Sequence, residues 1–340
     1  VGGSSIVDIL VYVETVIKGR RVFLDYRENP EDYSFEALSD EAREYLEKSG
    51  AFQETPFARL QHMNPNAIEL YRDHDIDIEV EPLEIAVCAQ HNNGGLAGNA
   101  WWESRNIAHL FPVGEVNGSH GVYRPGGSAL NSGQVASLRA ADFIAHRYAD
   151  SDLDDQVFER AACARLAELG GWLERCAQAG TSWREAREEF QQRMSRAGAH
   201  IRTPENLERA IEEAREQWAR LDDQGCAFDT PAEKAEALRN RQLCFAHLVY
   251  LDAVRFQVQS GVGSRGSAMV MDPQGQPAHG KLGDEWRFAT EDESYREKVL
   301  ETAVAEDGTI SHEWIDRRPI PESDLWFETA WAKYREGEIY

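Results

Sequence analysis

The stretch from Ala89 to Ala149 constrains the fold more than any other: AQHNNGGLAGNAWWESRNIAHLFPVGEVNGSHGVYRPGGSALNSGQVASLRAADFIAHRYA. It reads as a strand or extended turn ending in Gly94 and Gly95, then a short apolar strand from Leu110 to Val113. A glycine-rich loop follows from Gly114 to Gly127, and an alanine-rich helix closes the stretch from about Ala129 to Tyr148. Strand, glycine loop and helix in that order let backbone amides come close to an electron-rich ligand. The start of the helix adds the positive end of its dipole. Glycine-rich loops are also ordinary turns, so spacing alone leaves both readings open.

The residues themselves go further. Gly114-Glu115, His120-Gly121, Arg124, Gly126 and Leu130 fall without a gap on G-E-x-x-x-x-x-H-G-x-x-R-x-G-x-x-x-L. This segment resembles the fumarate reductase/succinate dehydrogenase flavoprotein family, and L-aspartate oxidases carry a similar one. Asn92-Asn93-Gly94-Gly95 is similar to that family's N-M-G-G turn. The resemblance implies that this region folds over the isoalloxazine end of FAD, with the helix start facing the N1/C2=O edge of the ring. The cofactor contacts it implies are Gly94, Gly95, Gly114, Glu115, Gly127, Ser128, Ala129 and Leu130. A dipole aimed at that edge would stabilise the anionic reduced ring.

Composition narrows the possible partners. A net charge of −24 and an isoelectric point near 4.8 repel nucleic acid and anionic membranes, and no basic cluster offsets them. No run of about 18 apolar residues suggests a membrane span, and there is no secretory leader pattern. Cys88, Cys163, Cys176, Cys226 and Cys244 are odd in number, scattered, and form no CxxC pair. We therefore expect reduced thiols in a cytoplasmic protein, with neither a disulfide framework nor a metal site.

The chain is long enough for two domains, and its 42% hydrophobic residues can form a core. It opens at Val1 in VGGSSIVDILVYVETVIKGRRVFLDYREN, already strand-like, and so reads as the middle of a longer protein. Ile6 to Val16 and Arg21 to Tyr26 read as a hairpin or two sheet strands around Lys18-Gly19. Short helices are expected from Ser39 to Lys48, from Thr55-Pro56 toward His62, and from Pro65 to about Asp73. Strands are expected at Ile76 to Val80 and Leu83 to Cys88. Beyond the polar break at Asp150-Ser151-Asp152, helices are expected over Leu153 to Ala177 and Ser182 to Arg196. Two more open at Thr203-Pro204 and Thr230-Pro231, the latter reaching about Gln259. Lys298 to Ala305 and Thr309 to Arg317 flank Glu306-Asp307-Gly308 as a hairpin. Asp324 to Arg335 reads as an amphipathic helix docked through its aromatic residues. The expected fold is α+β. Residues 1–80 are expected as a partial capping domain, 81–150 as the C-terminal segment of an FAD-binding domain, and 151–340 as a helical domain with a hairpin tail.

One literal match misleads. Gly261-Val-Gly-Ser-Arg-Gly266 fits G-x-G-x-x-G, but a long helix precedes it where the dinucleotide motif needs a strand. We read it as a loop. Ser264-Arg265-Gly266 is similar to the family's E-S-R-G-A-H run in part, with Gly263 in the Glu place and Met269 or nothing in the His place.

Among residues that could do chemistry, Arg124 leads. In the family the matching arginine binds a substrate carboxylate beside the flavin, and a guanidinium fork gives two charge-assisted bonds. The family's substrate-binding His falls on Gln90 and its neighbouring aromatic on His91, which points toward or away from the site as the register dictates. The reductases' arginine proton donor falls on Asp8 or Ile9, a departure that does not carry a C4-dicarboxylate reductase or dehydrogenase over to this sequence, while the oxidoreductase class stands. The resemblance thus implies the C-terminal part of an FAD-dependent oxidoreductase acting on a small organic acid. Its expected partners are a missing N-terminal FAD-binding region and an electron-transfer partner. The alternative is a non-catalytic subunit that docks onto a separate FAD-binding chain.

Overall fold

The computed structural model describes residues 5–87, 94–120, 127–148, 154–266, 268–280, 282–319 and 322–338. The chain is a mixture of helices and small sheets that divides into two compact units, Val1–Cys88 and Ala89–Tyr340.

In the first unit, α1 (Ser5–Tyr12) runs into a π-helical turn at Val13–Ile17. Then come β1 (Val22–Leu24), α2 (Asp40–Ser49), α3 (Pro56–Met63), α4 (Pro65–Arg72) and β2 (Leu83–Ile85). Ser39 Oγ caps α2 by accepting from Ala42 N, and Gly50 at φ 65° ends it. Thr55 caps α3, with Pro56 at the first helical position. Ile9, Ala51, Ile68 and Ile78 form the buried centre.

The strand expected over Ile6 to Val16 is therefore a helix. A continuous apolar run carries no period that separates a strand from a buried helix, and tertiary context decides. The hairpin around Lys18-Gly19 is absent too: β1 pairs antiparallel with the distant β2, Val22 opposite Ile85. Ile76 to Val80 is turns rather than a strand. Asp75 sits at φ 59°, and the Val80 and Glu81 amides donate to the Asp77 carbonyl.

The second unit carries α5 (Ser128–Arg147), α6 (Asp155–Cys176), α7 (Trp183–Arg193), β3 (Ile201–Arg202), α8 (Pro204–Gln224) and α9 (Lys234–Gln259). A π-helical turn at Met194–Gly198 extends α7. After α9 come β4 (Met269–Pro277), β5 (Arg287–Phe288), β6 (Lys298–Val304), β7 (Ile310–Asp316) and α10 (Trp326–Arg335). β3, β4 and β5 form one sheet, and β6 and β7 form the expected hairpin. Ser182 and Glu185 complete a capping box at α7.

The core lies where α8 packs on α9. Leu207, Ala210, Ile211, Ala214, Gln217 and Leu221 make one buried face of α8, the spacing of an amphipathic helix. Trp172 is buried beside them and donates its indole N–H to the Leu221 carbonyl at 3.0 Å. Cys176, Cys226 and Cys244 are buried in the same cluster, and burial pushes the Cys226 and Cys244 thiols up to about 12.

Here the structure corrects two expectations. Leu110 to Val113 is irregular, because Pro112 has no N–H to give a ladder and the Val113 amide closes a tight turn onto Phe111 O. β4 runs through Pro273, with its register shifting between Met271 and Gln276. The aromatic side chains of α10 stay exposed instead of docked. The G-x-G-x-x-G match does lie between α9 and β4. A Cβ on Gly263 would stand 1.9 Å from Thr290 O at φ 75°, so packing demands glycine there and excludes the family's Glu.

Candidate functional site

Two glycine segments that are distant in sequence touch backbone to backbone. A Cβ on Gly95 would lie 2.1 Å from Val116 O and 2.6 Å from Gly118 N. A Cβ on Gly118 would lie 2.6 Å from the Gly94 carbonyl carbon, and Gly118 sits at φ 74°. The Leu96 amide donates to Val116 O at 2.7 Å, and Asn117 Nδ2 donates to Leu96 O at 3.0 Å. Gly114 to Asn117 forms a 3₁₀ turn that rests against α5, where a Cβ on Gly133 would be 3.8 Å from Gly114 Cα. The helix start itself has Gly127 as its N-cap, so no side chain caps it. A narrow, backbone-lined cradle therefore adjoins the positive end of a 20-residue helix.

The loop that carries these segments is pinned to the body of α5. Glu103, buried, accepts from Tyr148 Oη and from the His109 amide at 3.0 Å. The tyrosine bond holds the Glu103 carboxyl below its ordinary range and raises the Tyr148 phenol. Arg139 lies 4.6 Å over the Trp101 ring and donates to Ala100 O, while Trp101 stacks on Phe143 at 5.6 Å. Trp102 and His109 adopt φ of 63° and 65° to make the bend.

Of the residues expected from sequence, the structure brings Gly94 and Gly95 onto the Gly114–Gly118 turn, and Glu115 lies exposed within that turn. Ser128, Ala129 and Leu130 open α5. Gln90, His91 and Arg124, with Asn92, Asn93, Gly121 and Gly126, lie outside the described residues. Ile9 is fully buried in α1 and so offers no group to a site. Both ring nitrogens of His120 are buried without a hydrogen-bond partner among the described residues.

Sequence reading missed Gly118 and Tyr250. Gly118 was one glycine among many, and only its φ and its contact with Gly94 single it out. Tyr250 on α9 approaches the cradle, its ring 3.8 Å from the place of a Gly94 Cβ, and no local motif marks it.

Gly95 and Gly118 meet backbone to backbone with no room for a Cβ on either, and the turn that carries Gly118 rests on α5. Among the described residues no cluster of His, Cys, Asp and Glu could hold a metal ion, and no helix is long and apolar enough to cross a membrane.

No protein-family model matches the chain. Over 71 residues, 21% of this chain and 13% of the relative, it is 42% identical to a subunit of the fumarate reductase (CoM/CoB) of Methanothermobacter marburgensis. It is 39% identical over 88 residues to a protein of Methanocaldococcus jannaschii named an uncharacterized FAD-dependent oxidoreductase, covering 24% of this chain and 16% of that one. In fold it matches E. coli quinol fumarate reductase with a TM-score of 0.63 and 20% identity over 94% of its own length. The chain spans 50% of that structure's length, and less of the two relatives. By fold along nearly all of its length and by sequence over those shorter segments, the chain matches the C-terminal part of the fumarate reductase/succinate dehydrogenase flavoproteins.

Proposed function

We propose that this chain is the C-terminal portion of a flavin-dependent oxidoreductase that moves a hydride between FAD and a small, carboxylate-bearing substrate. The observation that carries the reading is the backbone contact of Gly94–Gly95 with Val116–Gly118 beside the start of α5. FAD, when bound, supplies a hydride acceptor or donor at the N5 edge of its ring. Backbone groups of Gly94, Gly95, Gly114 and Glu115 line its place, and the first turn of α5, from Gly127 to Leu130, favours negative charge there. Arg124 holds the substrate carboxylate by a two-pronged contact, with Gln90 and His91 on the same segment as the cradle. The remaining half of the flavoprotein fold comes from an N-terminal FAD-binding region or chain, and an electron-transfer partner completes turnover.

The test uses the complete protein under anaerobic conditions with a panel of enoates and organic acids. Flavin bleaching or reoxidation with at least one of them is expected, and silence with all of them removes the reading. Arg124→Ala should keep its flavin and lose roughly a hundredfold in turnover, about 3 kcal/mol. Arg124→Lys should recover little, since a point charge does not reproduce the fork. Unchanged turnover in Arg124→Ala would make the arginine structural.

A further inference from the structure

Three hydrogen-bond donors lie at one turn with no acceptor of their own. The Leu96 amide donates to Val116 O at 2.7 Å, but the Gly94 and Gly95 amides before it donate to nothing among the described residues. The third donor comes from far along the chain. Tyr250 of α9 places its Oη 3.9 Å and its Cε1 3.8 Å from where a Gly94 Cβ would stand. No atom of Val116 or Gly118 comes within 4 Å of that place, so the hydroxyl faces the side of Gly94 that their contact leaves open. The Tyr250 side chain is half-buried, and its hydroxyl has no hydrogen-bond partner among the described residues. A tyrosine placed this way ordinarily finds one. Its position is fixed from behind, since Leu248 and Leu251 on either side of it are buried in the core that α9 shares with α8.

We propose that Tyr250 is a ligand-binding residue, its phenol donating a hydrogen bond to an oxygen acceptor held at the Gly94–Gly95 turn. The inference rests on the function proposed above and adds to it a contact from the helical part of the chain. The chemistry is that of an electron-rich oxygen, which accepts from neutral O–H and N–H groups together. Two sources fit: a carbonyl of the flavin ring, or the carboxylate of the small organic acid. A half-buried phenol serves either without bringing a second charge beside Arg124.

Tyr250→Phe in the complete protein removes one oxygen and keeps the ring. A single neutral hydrogen bond is worth roughly a fivefold change in a binding constant. FAD titrated into the apoprotein and KM for the organic acid are read separately, with the melting temperature as control. A higher Kd for FAD, with a shifted flavin absorption band, is the outcome if the acceptor is on the ring. A higher KM at unchanged FAD affinity is the outcome if it is the carboxylate. Gly94→Ala sets a methyl group at ordinary contact distance in front of the hydroxyl, and should weaken the same constant without loss of folding. If wild type binds FAD and turns over while both variants match it in both constants, water serves the hydroxyl, and the inference falls alone. A lower melting temperature in Tyr250→Phe, with both constants unchanged, makes the hydroxyl structural and overturns it too. A complete wild-type protein that binds no FAD removes the proposed function, and this inference with it.

Discussion

Gly95 and Gly118 face each other with no room for a methyl group. Gly95→Ala drives a Cβ into backbone that cannot swing aside, and overpacking of this kind costs about 1–3 kcal/mol. Gly118→Ala adds the cost of a left-handed backbone, roughly 1–2 kcal/mol more. Gly127→Ala meets nothing within 4 Å and should be nearly neutral. Thermal melts should show Gly118→Ala most damaged, Gly95→Ala next and Gly127→Ala least, and equal melts would mean that the contact is dispensable. His247 tests burial in another way. It is buried near Phe190, and burial, helped by Arg193, holds it down at about 4 from an ordinary 6.5. The unfolded chain then binds the extra proton between these two values, so stability is intact above about pH 6.5 and declines toward pH 4. The loss from this group is on the order of 3 kcal/mol. Denaturant midpoints measured from pH 7 to pH 4 should fall, and His247→Phe should flatten the fall. A parallel decline in the variant would place the acid sensitivity elsewhere.

The β6–β7 hairpin is tied to α9 by one buried carboxylate. Asp252 accepts from Arg255 at 3.0 and 3.1 Å, pairs with Arg215 at 3.4 Å, and meets His312 Nε2 of β7 at 2.8 Å. The other ring nitrogen of His312 reaches Thr302 on β6 at 2.9 Å, so both strands hang on the same group. Removing one partner of a buried charged pair costs about 3–5 kcal/mol, because the survivors stay desolvated. Asp252→Ala should therefore destabilise far more than Arg215→Ala, whose side chain is more than half exposed. It should also speed exchange of amides in β6 and β7 ahead of those in α8. Equal effects of the two variants would show that the hairpin is held by its apolar contacts instead, such as Trp314 on Phe256.

On the function proposed above, the described residues of the molecule supply one side of a cofactor site. Its backbone cradle and one helix start contribute a few contacts of roughly 1 kcal/mol each. Association itself costs about 4–15 kcal/mol. Purified alone, the 340-residue chain should be colourless and bind FAD no more tightly than about millimolar. An absorbance spectrum and an FAD titration check this. A yellow preparation, or micromolar affinity, would place the cofactor site elsewhere on the chain.

Helix starts were legible because their signals are local. Ser39, Thr55, Ser182 and Thr203 each cap the helix that follows through their own side chain, and no distant residue is needed for that. The glycine motif was legible for the same reason, as a fixed spacing along one segment. The run from Ile6 to Val16 was not, since an apolar stretch is compatible with a strand or a buried helix until its neighbours are known. Pairing of β1 with β2 spans the first unit, and no short-range signal encodes it. The close approach of Gly118 to Gly94, the approach of Tyr250 to the same glycine and the meeting of α10 with α5 are likewise properties of packing. Sequence alone determined which segments turn, cap and carry the flavoprotein-like motif. Tertiary structure alone decided which of them touch, because contact energy depends on distance in space and a chain of this length can bring any two segments together.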